Sequence, residues 1–260
     1  MLKLFPILIS LLAVACIADH KKPEYHPVYD ETALKDFVLA TIDSNKNKSV
    51  EVLDEVLMDA STDSIVFSRT VVFLERAFGN PNSSFRNEDL YAALLQAKMK
   101  SSWTDSLAIV KTRERLYLLM QNRPGSMAND FVYTTAAGYR KKMYAISAKY
   151  LLLYFNNPEC NACKEMKEAL IASSIINQKI KSEDLKILSI YTDKDEKLWL
   201  DHLNEYPESW INGRDEDEYL YKNKIYDLRA IPTVYLLDKE KKVLLKDCID
   251  IGKIEKNLLE

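Results

Sequence analysis

The sequence is poor in glycine, with 5 in 260 residues and no cluster of them. Gly-rich loops that let a backbone close around phosphates are therefore missing, and nucleotide chemistry has no visible foothold. Histidine is scarcer, at His20, His26 and His202, and the 4 cysteines include one close pair and no second. A zinc site built on that pair would lack two ligands, and no metal is expected. Neither sign of charge dominates: 36 Lys and Arg are mixed with 39 Asp and Glu, which announces no basic surface, and no nucleic-acid partner is expected. What is present is the balance of a soluble globular protein, 47% hydrophobic and 29% charged. The length suits two domains, each able to bury its own core.

Met1 to Ala15 hold one early positive charge, Lys3, an apolar run from Leu4 to Leu12, and small residues ending at Cys16. Residues 1–15 read as a secretory signal, too short in the apolar part to span a bilayer comfortably. The run Leu12-Ala13-Val14-Ala15-Cys16 resembles a bacterial lipobox, although Ala13 replaces the commoner leucine. That resemblance implies that Cys16 becomes the lipidated first residue of the mature protein and holds it on a membrane face; ordinary signal cleavage is the alternative. Residues 16–27, polar and carrying Pro23 and Pro27, read as a tether. Export places the remaining thiols, Cys160, Cys163 and Cys248, where disulfides persist. Three cannot all pair within one chain, so the close pair is the natural disulfide and Cys248 is left over, a small buried hydrophobe on the plain reading.

Residues 28–122 read as an all-helical domain. Apolar spacing predicts helices over Glu31–Asp43, Ser49–Ala60, Ile65–Phe78, Asn87–Lys100 and Asp105–Gln121, the last with a stripe of Leu107, Val110, Leu116 and Leu119. Gly79-Asn80-Pro81-Asn82 is breaker chemistry after the third, and Thr104 or Asp105 suits a cap for the fifth. No catalytic grouping stands out there. Arg123-Pro124-Gly125-Ser126 marks a boundary, and residues 123–260 form a second domain of different texture. Strands are predicted at Asp130–Thr135 and Arg140–Ile146 around an Ala136-Ala137-Gly138 turn. Continuous apolar runs at Tyr150–Phe155 and Leu185–Tyr191 suit strands buried on both faces. A helix from about Cys160 to Gln178, packing Ala162, Met166, Ala169, Leu170 and Ser173, makes the unit strand-helix-strand and parallel. Further on come a helix at Lys194–Glu205, a charged segment at Arg214–Glu218, strands at Thr233–Leu237 and Val243–Lys246, and a helix at Ile251–Leu259.

Cys160-Asn161-Ala162-Cys163 stands just after a buried strand and at the start of an amphipathic helix. A thiolate there faces unpaired backbone N–H groups and the positive end of the helix dipole, which favour the anion. Cys160 gains most and is the candidate nucleophile. Cys163, one turn on, can attack a mixed disulfide at Cys160 and resolve it. A purely structural disulfide competes, but so short a loop stabilises a fold less than a long one, and it leaves the strand-to-helix placement unexplained.

Lys149 to Leu170, KYLLLYFNNPECNACKEMKEAL, resembles the strand, active-site motif and helix of the TlpA-like branch of the thioredoxin superfamily. Tyr226 to Asp238, YDLRAIPTVYLLD, is similar to that family's later segment, and Gly125 to Phe131 resembles the opening of such domains; about 70 residues separate the cysteines from Pro232. The resemblance implies an α/β thioredoxin-like C-terminal domain after the all-α N-terminal one. It also implies a cis Ile231–Pro232 bond, with Pro232 shielding the pair and the Ile231 backbone binding an extended substrate segment; an ordinary trans proline at an edge strand is the alternative. Thioredoxin itself has a buried acid where this chain has Tyr154, so proton transfer at the second cysteine is put in doubt. Glu159 could assist or simply be solvated. The N-terminal region resembles a domain of uncharacterised role that precedes thioredoxin-like modules in Gram-negative lipoproteins, and transfers no residues.

These readings lead to an exported thiol-disulfide oxidoreductase, a reductase or isomerase, whose only redox group is the Cys160–Cys163 disulfide, with no added cofactor. It would sit on the periplasmic side of a Gram-negative envelope. Its partners would be exported proteins with disulfides or thiols and a membrane electron donor or acceptor. A non-redox scaffold lipoprotein and a peroxidase on the same fold are the alternatives, the second wanting an arginine that no position near Cys160 supplies.

Overall fold

A computed structural model describes residues 29–40 and 46–260. The signal segment, Cys16, His20, His26, the tether and the last residues of the first expected helix lie outside the described residues. The chain divides into two compact units, Met1–Leu116 and Tyr117–Glu260.

The N-terminal region is helical: α1 (Glu31–Ala40), α2 (Lys46–Ala60), α3 (Ser64–Gly79), α4 (Glu88–Lys100) and α5 (Ser106–Leu119). Short polar side chains turn onto otherwise orphan N–H groups to start α1, α3, α4 and α5. Asp30 accepts from Thr32 and Ala33, Asp63 from Ile65 and Val66, Asn87 from Asp89 and Leu90, and Asp105 from Ala108. Leu34, Leu53, Phe67, Leu74, Phe78, Leu90 and Leu94 form the buried stripes of α1 to α4. Gly79 ends α3 where the ring of Tyr91 occupies the space a Cβ would need.

The expected stripe on α5 does not form. Leu107 is 64% and Val110 48% exposed, whereas Leu119 is buried. From Leu107 to Leu116 is two and a half turns at about 3.6 residues per turn, so the two ends of the supposed stripe lie on opposite sides. The last residues of α5, from Tyr117, belong to the second unit and are bonded within it. Lys246 Nζ donates to the carbonyls of Leu119 and Gln121 at 2.7 and 2.9 Å, and Asn122 Nδ2 donates to Ile225 O at 2.7 Å.

The second unit is an α/β sheet domain. Its elements are β1 (Val132–Thr134), β2 (Arg140–Lys142), β3 (Tyr150–Asn156), α6 (Asn161–Ala172), α7 (Ser174–Lys181), β4 (Leu185–Tyr191), α8 (Glu196–Asp201), β5 (Ile211–Arg214), α9 (Tyr219–Lys222), β6 (Thr233–Leu237), β7 (Val243–Leu245) and α10 (Ile251–Leu259). The strand order is β2-β1-β5-β4-β3-β6-β7. β3 runs parallel to β4, with Leu152 opposite Ile187, and antiparallel to β6, with Phe155 opposite Thr233. Buried on both faces, β3 sends Leu151, Leu153 and Phe155 into one layer with Tyr226 and Leu220. Leu152 and Tyr154 go into the other, with Met166, Leu170, Ile176 and Ile254.

Several expectations need correction. The strand expected to reach Ile146 stops at Lys142, because Asp130 Oδ1 accepts the N–H of Tyr144 at 3.0 Å and Met143 turns into the core as a short 3-10 turn begins. The helix expected from Cys160 to Gln178 is two helices. Ser173 is extended, and its hydroxyl accepts the N–H of Ile176 to start α7. On α6 Met166 and Leu170 are buried as expected and Ala169 is half-buried, with Cys163 and Lys167 buried beside them; of the expected stripe only Ala162 is exposed. The helix expected over Lys194–Glu205 is regular only over α8, then tightens to a 3-10 turn. β5 and α9 were not legible. β5 contains Gly213, a poor strand former, which lets the Tyr133 ring lie against the backbone. α9 begins where the Asp215 carboxylate accepts from Tyr219 and Leu220, inside a run that reads only as charge.

Candidate active site

β3 delivers the chain to the end of the sheet at Asn156, and the loop that follows is closed by its own polar groups. Asn157 Oδ1 accepts the N–H of Glu159 at 2.8 Å, and Asn157 O accepts that of Cys160 at 3.1 Å. Cys160 is thereby set as the cap of α6. Its sulfur accepts the N–H of Cys163 at 3.2 Å, a bond that strengthens when the sulfur is an anion. Cys160 is half-buried, whereas Cys163 is 1% exposed. Burial first, then the hydrogen bond with Cys160, pushes the Cys163 thiol well above the ordinary thiol range, with a backbone bond from Asn157 opposing. One thiol is thus presented and the other held protonated beneath it.

From the far side, the loop before β6 brings in Ile231 and Pro232, both half-buried and joined by a cis peptide bond. The Cys160 thiol lies 3.6 Å from Ile231 O, so residues 71 apart in sequence meet at one point. Cys248 is not part of this group. It is a free thiol packed against the core beside α10, with its N–H bound to Val234 O at 2.9 Å, and burial raises its pKa. Glu159 is exposed. Among the described residues no three of His, Cys, Asp and Glu gather in a way that could hold a metal ion.

Behind the pair the structure places a polar aromatic wall that sequence reasoning named only at Tyr154. The Tyr154 hydroxyl donates to Cys163 O at 2.5 Å, and its ring meets Trp210 edge-on. Tyr206 donates to Asn156 Oδ1 at 2.7 Å, while Asn156 Nδ2 donates to Ser189 Oγ and Tyr154 O, both at 2.9 Å. Lys167 lies over the Tyr206 ring and binds Glu205 at 2.8 Å. Tyr206 and Trp210 follow a segment read as a helix end, and nothing in their spacing points to the cysteines.

Residues 148–243 match the family described as thioredoxin-like. A crystal structure of a thioredoxin-like protein from Bacteroides caccae is 38% identical, with a TM-score of 0.83, covering 88% of this chain and 82% of that one. The chain belongs to the thioredoxin-like family. The C-terminal domain of an uncharacterized Bacteroides fragilis protein is 46% identical, with a TM-score of 0.52, over 54% of this chain and 99% of that one. Nucleoredoxin of Danio rerio is 26% identical over 98 residues, which span 37% of this chain and only 23% of nucleoredoxin.

The wall gives this thioredoxin-like domain an acid-sensitive strap. A hydrogen bond from Lys167, then one from His202, holds Glu205 down to about 2, against an ordinary 4.5. With a depressed carboxylate, the stability it adds is present above about pH 4.5 and is lost as pH falls toward 2. Lys167→Met should therefore flatten the acid limb of the stability profile. Urea midpoints of both proteins at pH 5 and at pH 2.5 check this, and an equal drop in both would rule it out.

Proposed function

We propose that the protein is an exported thiol-disulfide oxidoreductase of TlpA-like type, a disulfide reductase or isomerase working through Cys160 and Cys163. The observation that carries this reading is the asymmetry of the pair: a half-buried sulfur at a helix start receiving an N–H at 3.2 Å, and a fully buried thiol one turn behind it. In the reductive direction the Cys160 thiolate attacks one sulfur of a substrate disulfide, forming a mixed disulfide and releasing one substrate thiol. Cys163 then loses its proton to solvent and attacks Cys160 Sγ, releasing the second thiol. Two electrons pass to the substrate and a Cys160–Cys163 disulfide remains, to be reduced again by a membrane electron donor. Ile231 and Pro232 would flank the substrate segment, the Ile231 backbone binding it in extended form. No added cofactor takes part.

Reduced full-length protein should reduce the disulfides of insulin, giving about one disulfide per pair of thiols consumed in the absence of a donor. A fully folded, fully reduced protein with no such activity, and none as an isomerase on a scrambled disulfide protein, would leave a binding or scaffold role on the same fold.

The placement part of the proposal is a lipid on Cys16, facing the periplasm of a Gram-negative envelope. It rests on the lipobox-like run Leu12-Ala13-Val14-Ala15-Cys16 after the apolar segment. Cys16→Ser should leave the chain unprocessed or free of the membrane. Processing and membrane binding as before would show that Cys16 is not the attachment point.

A further inference from the structure

Tyr154 is held by the sheet and by a neighbouring ring directly behind the cysteine pair. It sits in an interior strand, β3, between Ser189 of β4 and Val234 of β6, is 1% exposed, and has its ring edge-on to Trp210 at 6.1 Å and 83°. Its hydroxyl donates to the carbonyl of Cys163 itself. A helix carbonyl has two lone pairs, and the N–H four residues on uses one of them. The tyrosine takes the other, so the residue that carries the buried thiol is tied to an interior strand of the sheet as well as to its own helix.

We infer that Tyr154 is a positioning residue for the resolving step, holding Cys163 in line with Cys160 Sγ through its carbonyl. The inference rests on the dithiol reading above and gives that step a residue outside the CxxC motif. Attack of one sulfur on another needs a close and nearly linear approach, and small misplacements cost rate steeply. Tyr154→Phe keeps the ring and its contact with Trp210 and removes only the tie. The N–H of residue 163 stays on the main chain, held by the helix, so the first attack depends on the hydroxyl far less than the second.

The test uses the full chain with Cys16→Ser and Cys248→Ser, so that only the pair reacts. The probe is an aromatic disulfide that releases a coloured thiolate. The first equivalent appears when Cys160 attacks the probe and keeps half of it; the second appears when Cys163 displaces that half and closes the disulfide, its proton going to solvent. In Tyr154→Phe the second phase should slow about tenfold while the first stays within about twofold. Tyr226→Phe is the matched control. It removes a buried tyrosine bond of the same kind, to Asn129 O at 2.7 Å, in the layer on the opposite face of the sheet. It should leave both phases unchanged. An unchanged second phase in Tyr154→Phe, or equal slowing in both variants, overturns the positioning role. If the parent chain itself releases only one equivalent, the dithiol reading fails and the inference with it, and that outcome is distinct from the other two.

Discussion

Cys163→Ser protein should make one attack on a disulfide substrate and then stop, accumulating as a mixed disulfide through Cys160, while Cys160→Ser protein should fall to the uncatalysed rate and trap nothing. The difference follows from what each substitution removes. The N–H that serves the Cys160 sulfur belongs to the main chain of residue 163, so it survives the change of that side chain and the nucleophile keeps its partner. What disappears is the resolving thiol, and with it the route from mixed disulfide to product. In Cys160→Ser the thiol that remains in the motif is 1% exposed and pushed up by burial, which leaves it protonated and out of reach of a protein substrate. Mass spectrometry of adducts formed with disulfide-bearing exported proteins reads both outcomes. Trapping by Cys160→Ser in place of Cys163→Ser would reverse the assigned roles.

Phe155→Ala should destabilise the thioredoxin-like domain by about 3–5 kcal/mol, a large share of what holds a domain of this size together. The side chain is fully buried, with ring centres of Phe131, Tyr226 and Tyr235 at 5.9, 5.0 and 6.2 Å. Truncation leaves those rings around a void that the strand pairing of β3 with β4 and β6 keeps from collapsing. The next residue is Asn156, so the loop that sets Cys160 is loosened as well. Urea unfolding followed by a signal from the C-terminal domain gives the number. Leu259→Ala, at a residue 66% exposed, should stay within about 0.5 kcal/mol and serves as the comparison. A loss below about 1 kcal/mol in Phe155→Ala would mean that the layer repacks, contrary to the account.

The parts of the fold that were legible are those whose signal is local. β4, β6 and α10 are continuous apolar runs or strongly amphipathic stretches, and the structure has them at the residues read from sequence. β5 was not legible because Ile211-Asn212-Gly213-Arg214 becomes a strand only through its neighbours, with β4 on one side and the Tyr133 ring over Gly213 on the other. The break at Ser173 was missed because the apolar period runs on through it, while the capping hydroxyl needs only one residue. α5 misled for the opposite reason: its leucines and valine recur, but half of them are on the wrong side.

The site divides in the same way. Cys160 and Cys163 stood out by their place between strand and helix. Ile231 and Pro232 were named only through a family resemblance, and no spacing rule connects them to the cysteines; the meeting of Cys160 Sγ and Ile231 O depends on the antiparallel pairing of β6 with β3. Asn156, Lys167, Tyr206 and Trp210 carry no sequence signal for their place in the wall, since each looks like an ordinary strand, helix or loop residue until the sheet brings them together. Tyr154 stands out in the sequence as a departure from the thioredoxin pattern, but its bond to Cys163 O is a tertiary fact.

The central claim is that Cys160 and Cys163 exchange between dithiol and disulfide as a unit. Equilibrating the full-length protein across a series of thiol-disulfide buffers, quenching with acid, alkylating, and identifying each cysteine by mass spectrometry tests it most directly. One two-electron transition is expected, in which Cys160 and Cys163 become linked to each other while Cys248 remains alkylated throughout. Cys160 and Cys163 staying separately alkylated under every oxidising condition, or Cys160 pairing with Cys248, would contradict it.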